Sequence, residues 1–327
     1  MNSENLHIHY DCDPGQDDAI ALLYALGAGV DVKSISTVGG NVDVKKCTRN
    51  VLQILEFVNR SDIPVYTGAF CPLKRISQPL PNVFGECGMA GANLPDPSIT
   101  EMRLSAADFL LKQEFPNIFV ATGPLTNVAL AIQKCSEIAK HIHHLIIMGG
   151  CVYPEHIHGR LGNIQVKDSD GWAEYNFAVD PEAAQIVLSS QIKNITMIPV
   201  EVTRRVLYNH VVDDSLRASG ARIAILAANI LSTVGAEDRI DYASEMMSPH
   251  DPVRAMHDVV AMAYLIHPEF FETEMLPLRV LVGDAPVPSG QIAVDELMYD
   301  HPCVRVITKM DNVKFLESLL EYLRSEL

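Results

Sequence analysis

The chain is predicted to be an α/β protein: one domain over residues 1–327, built on an open, mainly parallel, Rossmann-like sheet with helices on both faces. Three observations predict this. Short β-branched runs alternate with amphipathic stretches along the whole chain, the pattern of parallel strands joined by crossover helices. Apolar residues in the intervening stretches fall at helical spacing, as Val51, Ile54, Leu55 and Val58 do. No low-complexity linker, charge block or repeat divides the chain.

Taken in order, Leu6–Tyr10 reads as the first strand and Asp17–Leu26 as the helix after it. Val32–Thr37 and Lys45–Asn59 form the next pair. Ile63–Tyr66 is a short strand, and Leu104–Glu114 the helix before the strand Ile118–Ala121. Leu125–Lys134 then leads to the strand Leu145–Met148. Pro181–Ser189 reads as the next helix. Ile195–Val200 is the next strand, and Val211–Val234 and Asp251–Ile266 are helices. Arg279–Val282 and Val304–Lys309 complete the strands, and Asn312–Ser325 is the closing helix. Two Gly-rich stretches interrupt the alternation. Gln78–Pro97 has Gly85, Gly88 and Gly91, and Cys151–Gly171 has Gly159, Gly162 and Gly171. Loops of this length in a compact domain often act as lids or binding loops.

Composition narrows the class. Hydrophobic residues are 48% and charged residues 20%, so the chain is globular. A formal charge of −16 argues against nucleic acid or an anionic membrane as partner. The seven cysteines are scattered, with no C-x-x-C, which suits reduced thiols. No secretion signal or membrane-length apolar run is seen, so a cytoplasmic location is expected.

The strongest local signal is Asp11-Cys12-Asp13-Pro14-Gly15-Gln16-Asp17-Asp18, between the first strand and the first helix. An aspartate at a helix start caps free N–H groups, which accounts for one or two of these carboxylates. It does not account for four, because crowded like charges repel. A hard cation removes that cost, and irregular carboxylate and carbonyl sets favour Ca²⁺ over Mg²⁺. Thr37–Asn41, Thr122–Asn127 and Met148–Gly150 follow other strands. Together these strand ends make the rim of one shared pocket, where ligands bind in open α/β sheets.

At these residues the chain resembles the nucleoside hydrolase family of inosine–uridine-preferring type. The signature D-x-D-P-G-x-D-D-A stands at Asp11 to Ala19. The resemblance continues through Thr37–Asn41, Thr122–Asn127, Met148–Gly150 and Ala173–Asn176, then Met256–Asp258 and Gly290–Asp295. It implies hydrolysis of the N-glycosidic bond of ribonucleosides in nucleoside salvage. It further implies Ca²⁺ held by Asp13, Asp18, Asp258 and the carbonyl of Thr122, with Asp13 also the general base. Asp17, Asn41, Asn163, Glu174 and Asn176 resemble the residues that grip the ribose. Met148 resembles a pocket wall, and His257 a histidine that faces the leaving base. The resemblance also implies a homodimer or homotetramer. The purine-specific group uses tryptophans around the base, one of them where His257 stands. That leaves a broad inosine–uridine enzyme or a 6-oxopurine enzyme acting on inosine and guanosine.

The chemistry is coherent on its own terms. Glycosidic cleavage develops positive charge on the sugar, which carboxylates and amides stabilise. Three features depart from the family pattern. Ile164–Ala173 is longer than usual, the lid reads Val83-Phe84-Gly85 where many members have histidine before glycine, and His250-Asp251 competes with His257-Asp258. The pairs His7/His9 and His156/His158 and the cluster His141/His143/His144 read as incidental, without a convergent metal pattern. Three rivals remain. A magnesium phosphohydrolase of the haloacid dehalogenase type shares Asp11-x-Asp13 but wants threonine or valine where Gly15 stands. A non-catalytic calcium-dependent nucleoside or ribose binder would not need Asp13 as a base. A Rossmann dehydrogenase lacks its G-x-G-x-x-G.

Overall fold

The computed structural model describes residues 6–76, 85–89, 92–112, 115–153, 160–232, 254–295 and 303–325. Eight strands form the central sheet: β1 (His7–Cys12), β2 (Asp31–Thr37), β3 (Val65–Thr67), β4 (Ile118–Ala121), β5 (His144–Met148), β6 (Ile195–Ile198), β7 (Phe271–Leu276) and β8 (Val304–Met310). Their spatial order is β7-β8-β6-β5-β4-β1-β2-β3. All neighbours pair in parallel except β7 and β8, which are antiparallel. The predicted class is the observed one.

Alternation along each central strand builds two cores, one on each side of the sheet. Ile8, Tyr10 and Cys12 of β1 enter one core, with Val120 of β4 and with Ile146 and Met148 of β5. Phe119 and Ala121 of β4, with Leu145 and Ile147 of β5, enter the other. The first core is covered by α1 (Gln16–Gly27), α2 (Val44–Phe57), α6 (Arg222–Ser232), α7 (Val259–Ile266) and α8 (Asn312–Leu323). Helix α1 is buried on nearly every side, against α6, α7 and α8. The second core is covered by α3 (Thr126–Lys134) and α4 (Pro181–Leu188), which pack on each other. The apolar stripe Val51, Ile54 and Leu55 is the buried face of α2, as its spacing predicts.

Several predicted elements differ. The helix expected over Val211–Val234 is two helices, α5 (His210–Ala218) and α6, because Gly220 adopts φ +69° and turns the chain. Of the stretch Asp251–Ile266, the described residues form a helix over Val259–Ile266, and Arg254–Ala255 instead pairs with Leu207–Tyr208 as a small ribbon. Arg279–Val282 does not join the main sheet. Leu278–Val280 forms a separate antiparallel pair with Ile292–Val294. The sheet position goes to β7, whose sequence FETEML is mostly exposed, so hydrophobic alternation gives no sign of it. Leu104–Glu114 shortens to Ala106–Leu110, with Ser105 as its cap. Ile195–Val200 stops at Ile198, because Pro199 opens a helical turn over Val200–Thr203. Phe84, His156, His158, His250 and Asp251 lie outside the described residues.

The chain runs β1, β2, β3 toward one edge and then returns to β4 on the other side of β1. The carboxyl ends of β1 and β4 therefore diverge at a topological switch point, where open α/β sheets bind ligands. Asp13 lies just past β1, and Thr122 just past β4.

Candidate active site

The carboxylates after β1 are buried. Asp13 and Asp18 have no exposed surface, Asp258 is 4% exposed and Asp17 8%. Ligand oxygens of Asp17, Asp18 and Asp258 all lie within 4.8 Å of one another. Asp17 and Asp18 reach this point because they open α1, and Asp258 because it stands at the start of α7, packed against α1. This trio differs from the set expected to bind metal by including Asp17, with Asp13 alongside.

Asp13 is held on two sides by glycines. A Cβ at Gly40 would fall 2.1 Å from Asp13 Oδ2, and one at Gly123 2.7 Å from Oδ1. Only glycine permits that approach. Asp13 Oδ2 accepts the Asn41 backbone N–H at 2.7 Å. Asp13 Oδ1 is buried and accepts no hydrogen bond among the described residues. Asp18 accepts from the Thr122 hydroxyl at 2.7 Å, the Gly15 N–H at 3.0 Å and the Asn41 side-chain amide at 3.2 Å.

Burial is the largest influence on each of these acids. It pushes Asp13 well up, and the charges of Asp18 and Asp17 push it further. Asp258 is raised in the same way by burial and by Asp17, Asp18 and Asp13. Asp18 rises to about 6, through burial and then the charge of Asp17, while the hydrogen bonds from Thr122 and Gly15 hold it down. Among the described residues no lysine or arginine pairs with Asp13, Asp18 or Asp258. Buried carboxylates left without cationic partners, with one oxygen accepting nothing, fit a hard divalent cation with oxygen ligands.

The other predicted residues surround this cluster. Asn176 donates its side-chain amide to the Thr122 carbonyl at 2.8 Å and lies against Met148, whose carbonyl it meets at 3.4 Å. Glu174 caps the short helix Tyr175–Val179, accepting N–H groups from Asn176, Phe177 and Gly150. Burial lifts its carboxyl to about 7 against those three donors. The long segment after Asn163 folds as a small hairpin, Ile164–Gln165 against Trp172–Ala173. The added residues leave the site and return, so the Asn163 side chain accepts the Tyr175 N–H at 2.9 Å. His257 Nδ1 lies 2.7 Å from the Thr203 hydroxyl, which also meets the Val200 carbonyl at 3.2 Å. Which of the two donates in the His257–Thr203 bond depends on the tautomer of the ring.

Sequence reasoning gave no role to four supporting residues. Ser36 donates to Asp11, as does Asn127 at 2.7 Å, and these bonds hold Asp11 below the cluster. Thr203 orients His257, and the Tyr175 hydroxyl donates to the Gly40 carbonyl at 3.0 Å. Ser36 and Tyr175 lie within the strand and motif already singled out, but hydroxyl partners across the fold leave no spacing signal.

An open α/β sheet with a buried acid cluster at its switch point is the arrangement of an α/β enzyme whose site could hold a metal ion. The family described as inosine–uridine-preferring nucleoside hydrolase matches residues 8–317, and the chain belongs to it. It is a ribonucleoside hydrolase, a glycosidase-type enzyme, which sets aside the phosphohydrolase, dehydrogenase and non-catalytic readings. A pyrimidine-specific ribonucleoside hydrolase, RihA of Escherichia coli O1:K1, is 37% identical over 277 residues, 82% of each chain. A plant nucleoside hydrolase superposes with a TM-score of 0.85 at 26% identity, covering 98% of this chain and 99% of that one. A purine-preferring ribonucleoside hydrolase from Gardnerella vaginalis superposes with a TM-score of 0.83, also at 26% identity, covering 97% and 98%.

Proposed function

We propose that the enzyme cleaves the N-glycosidic bond of ribonucleosides by a water that Asp13 deprotonates, with Ca²⁺ held by Asp13, Asp18, Asp258 and the Thr122 carbonyl. The observation that carries this is Asp13 Oδ1, a buried carboxylate oxygen with no hydrogen bond among the described residues, beside the acid cluster. When bound, the cation supplies charge compensation and Lewis acidity. Asp13 takes one proton of water, and the hydroxyl forms the new bond to the anomeric carbon. The electron pair of the broken bond leaves with the base, which gains a proton from His257 acting in its imidazolium form. Asp17, Asn41, Asn163, Glu174 and Asn176 hold the ribose hydroxyls, Met148 forms the wall, and the buried carboxylates stabilise the developing positive charge.

The proposed substrates are inosine, guanosine and uridine. The similarity to a pyrimidine-specific enzyme favours uridine, and the structural likeness to a purine-preferring enzyme favours the purines. A cytoplasmic, homodimeric or homotetrameric enzyme of nucleoside salvage is the accompanying reading. Among the described residues no helix is long and apolar enough to cross a membrane. The deciding measurement is ribose release from inosine, guanosine, uridine and adenosine without added phosphate. The Asp13→Ala variant is expected to lose at least about a hundredfold in rate, the scale of a lost general base. Ribose release that survives that substitution would remove Asp13 from its role, and uridine left intact would restrict the enzyme to 6-oxopurines.

A further inference from the structure

The Gly40 carbonyl and the Asn41 N–H belong to one peptide unit. On one side the Tyr175 hydroxyl donates to that carbonyl at 3.0 Å. On the other side the N–H donates to Asp13 Oδ2 at 2.7 Å. We infer that Tyr175 is a positioning residue for Asp13, acting through this single peptide plane: it aims and strengthens the one N–H that fixes which carboxylate oxygen faces the reacting water. The inference rests on the reading of Asp13 as the base.

The physical reasons are local. A donor at a carbonyl withdraws charge from the peptide and makes its N–H a better donor, so bonds in a chain reinforce one another. The carboxylate can turn about its Cβ–Cγ bond, and a strong donor to Oδ2 stops that turning and leaves Oδ1 as the accepting atom. Packing cannot do the same through a side chain, because Gly40 and Gly123 have none and lie against the carboxylate. Tyr175 is 8% exposed, and its ring spans from the Glu174–Asn176 segment to the loop after β2. The hydroxyl thereby ties two walls of the site together at the atom that controls the base. In the peptide plane, a rotation that broke the Tyr175 bond would also turn the N–H away from Asp13.

The test is Tyr175→Phe in the full-length enzyme with calcium present, assayed on inosine and uridine, with the Asn41 amide observed in protein labelled with ¹⁵N-asparagine. The expected result is a kcat lower by about tenfold with KM within about twofold, the pattern of a lost contribution to the chemical step. The Asn41 amide proton should move upfield as its hydrogen bond weakens. Full kcat in Tyr175→Phe beside an active wild type would overturn the inference. So would a loss of kcat with the Asn41 amide unmoved, because the effect would then reach Asp13 by another route. If the variant is too unstable to assay, 3-fluorotyrosine placed at position 175 alone, whose hydroxyl is the stronger donor, decides it: an Asn41 amide moved downfield supports the inference, and an unmoved one overturns it. A wild type inactive on every nucleoside would fail the hydrolase mechanism instead, and the amide shift would still decide whether Tyr175 sets the Asn41 bond.

Discussion

His257 shows why single residues need partners before they acquire roles. Its place beside Asp258 is visible in the chain, but the hydroxyl that meets its Nδ1 belongs to Thr203, far away in sequence and 2.7 Å away in space. Thr203→Val should therefore lower kcat on inosine by about tenfold, while a p-nitrophenyl riboside, whose leaving group needs no proton, loses little. Equal losses on both substrates would show that Thr203 does not act through His257. His9 offers a second case. It is fully buried between Ser34 and Ser36, at 2.7 and 2.8 Å, and burial holds its pKa down at about 3. The unfolded chain takes up this proton near 6.5 and the native protein does not. Its contribution to stability is thus complete above 6.5 and is lost as pH falls toward 3, by about 1.4 kcal/mol per pH unit. Urea unfolding of His9→Gln beside wild type should show a gap that narrows as pH falls from 7 to 5. A gap independent of pH would mean that His9 takes up its proton in the native protein as readily as in the unfolded chain.

Elements with strong local signals were legible. The helix start at Pro181, the apolar stripe of α2 and the β-branched central strands all appear where the sequence puts them. Elements defined by partners were not. Strand β7 has an exposed face pattern and exists because β8 pairs with it. The hairpin after Asn163 likewise exists through its own pairing, which returns the chain to the ribose-binding residues. The break between α5 and α6 was readable at Gly220, a residue that tolerates a left-handed backbone, but the apolar periodicity on both sides masked it. A Cβ there meets nothing within 4 Å, so Gly220→Ala tests conformation alone. Its expected cost is about 1 kcal/mol of stability with unchanged activity, measured by thermal unfolding and ribose release. A variant as stable as wild type would show that the turn adopts another conformation in solution.

At the scale of the molecule, buried carboxylates destabilise the metal-free protein. Each of Asp13, Asp18 and Asp258 has its pKa raised by burial first and by neighbouring acids next. The native state then holds protons that the unfolded chain has released, so without metal these groups cost stability as pH rises past the ordinary carboxylate range, for Asp18 up to about 6. A cation that binds only the folded form reverses this. Calcium at a hundred times its dissociation constant should add about 2.7 kcal/mol, seen as a higher Tm at pH 7.5 and lost on chelation. An unchanged Tm with calcium would argue against the proposed ligand set. The chain alone determined the fold class, the acid motif and most helix and strand positions, since these depend on periodicity and on residue chemistry within a few positions. Only the tertiary structure decided which acids converge, which peptide and hydroxyl groups aim them, and where the extra segment goes. Those outcomes depend on contacts between residues distant in sequence, such as Asp18 with Asp258 or Tyr175 with Gly40, whose geometry is set by how the sheet and its helices pack.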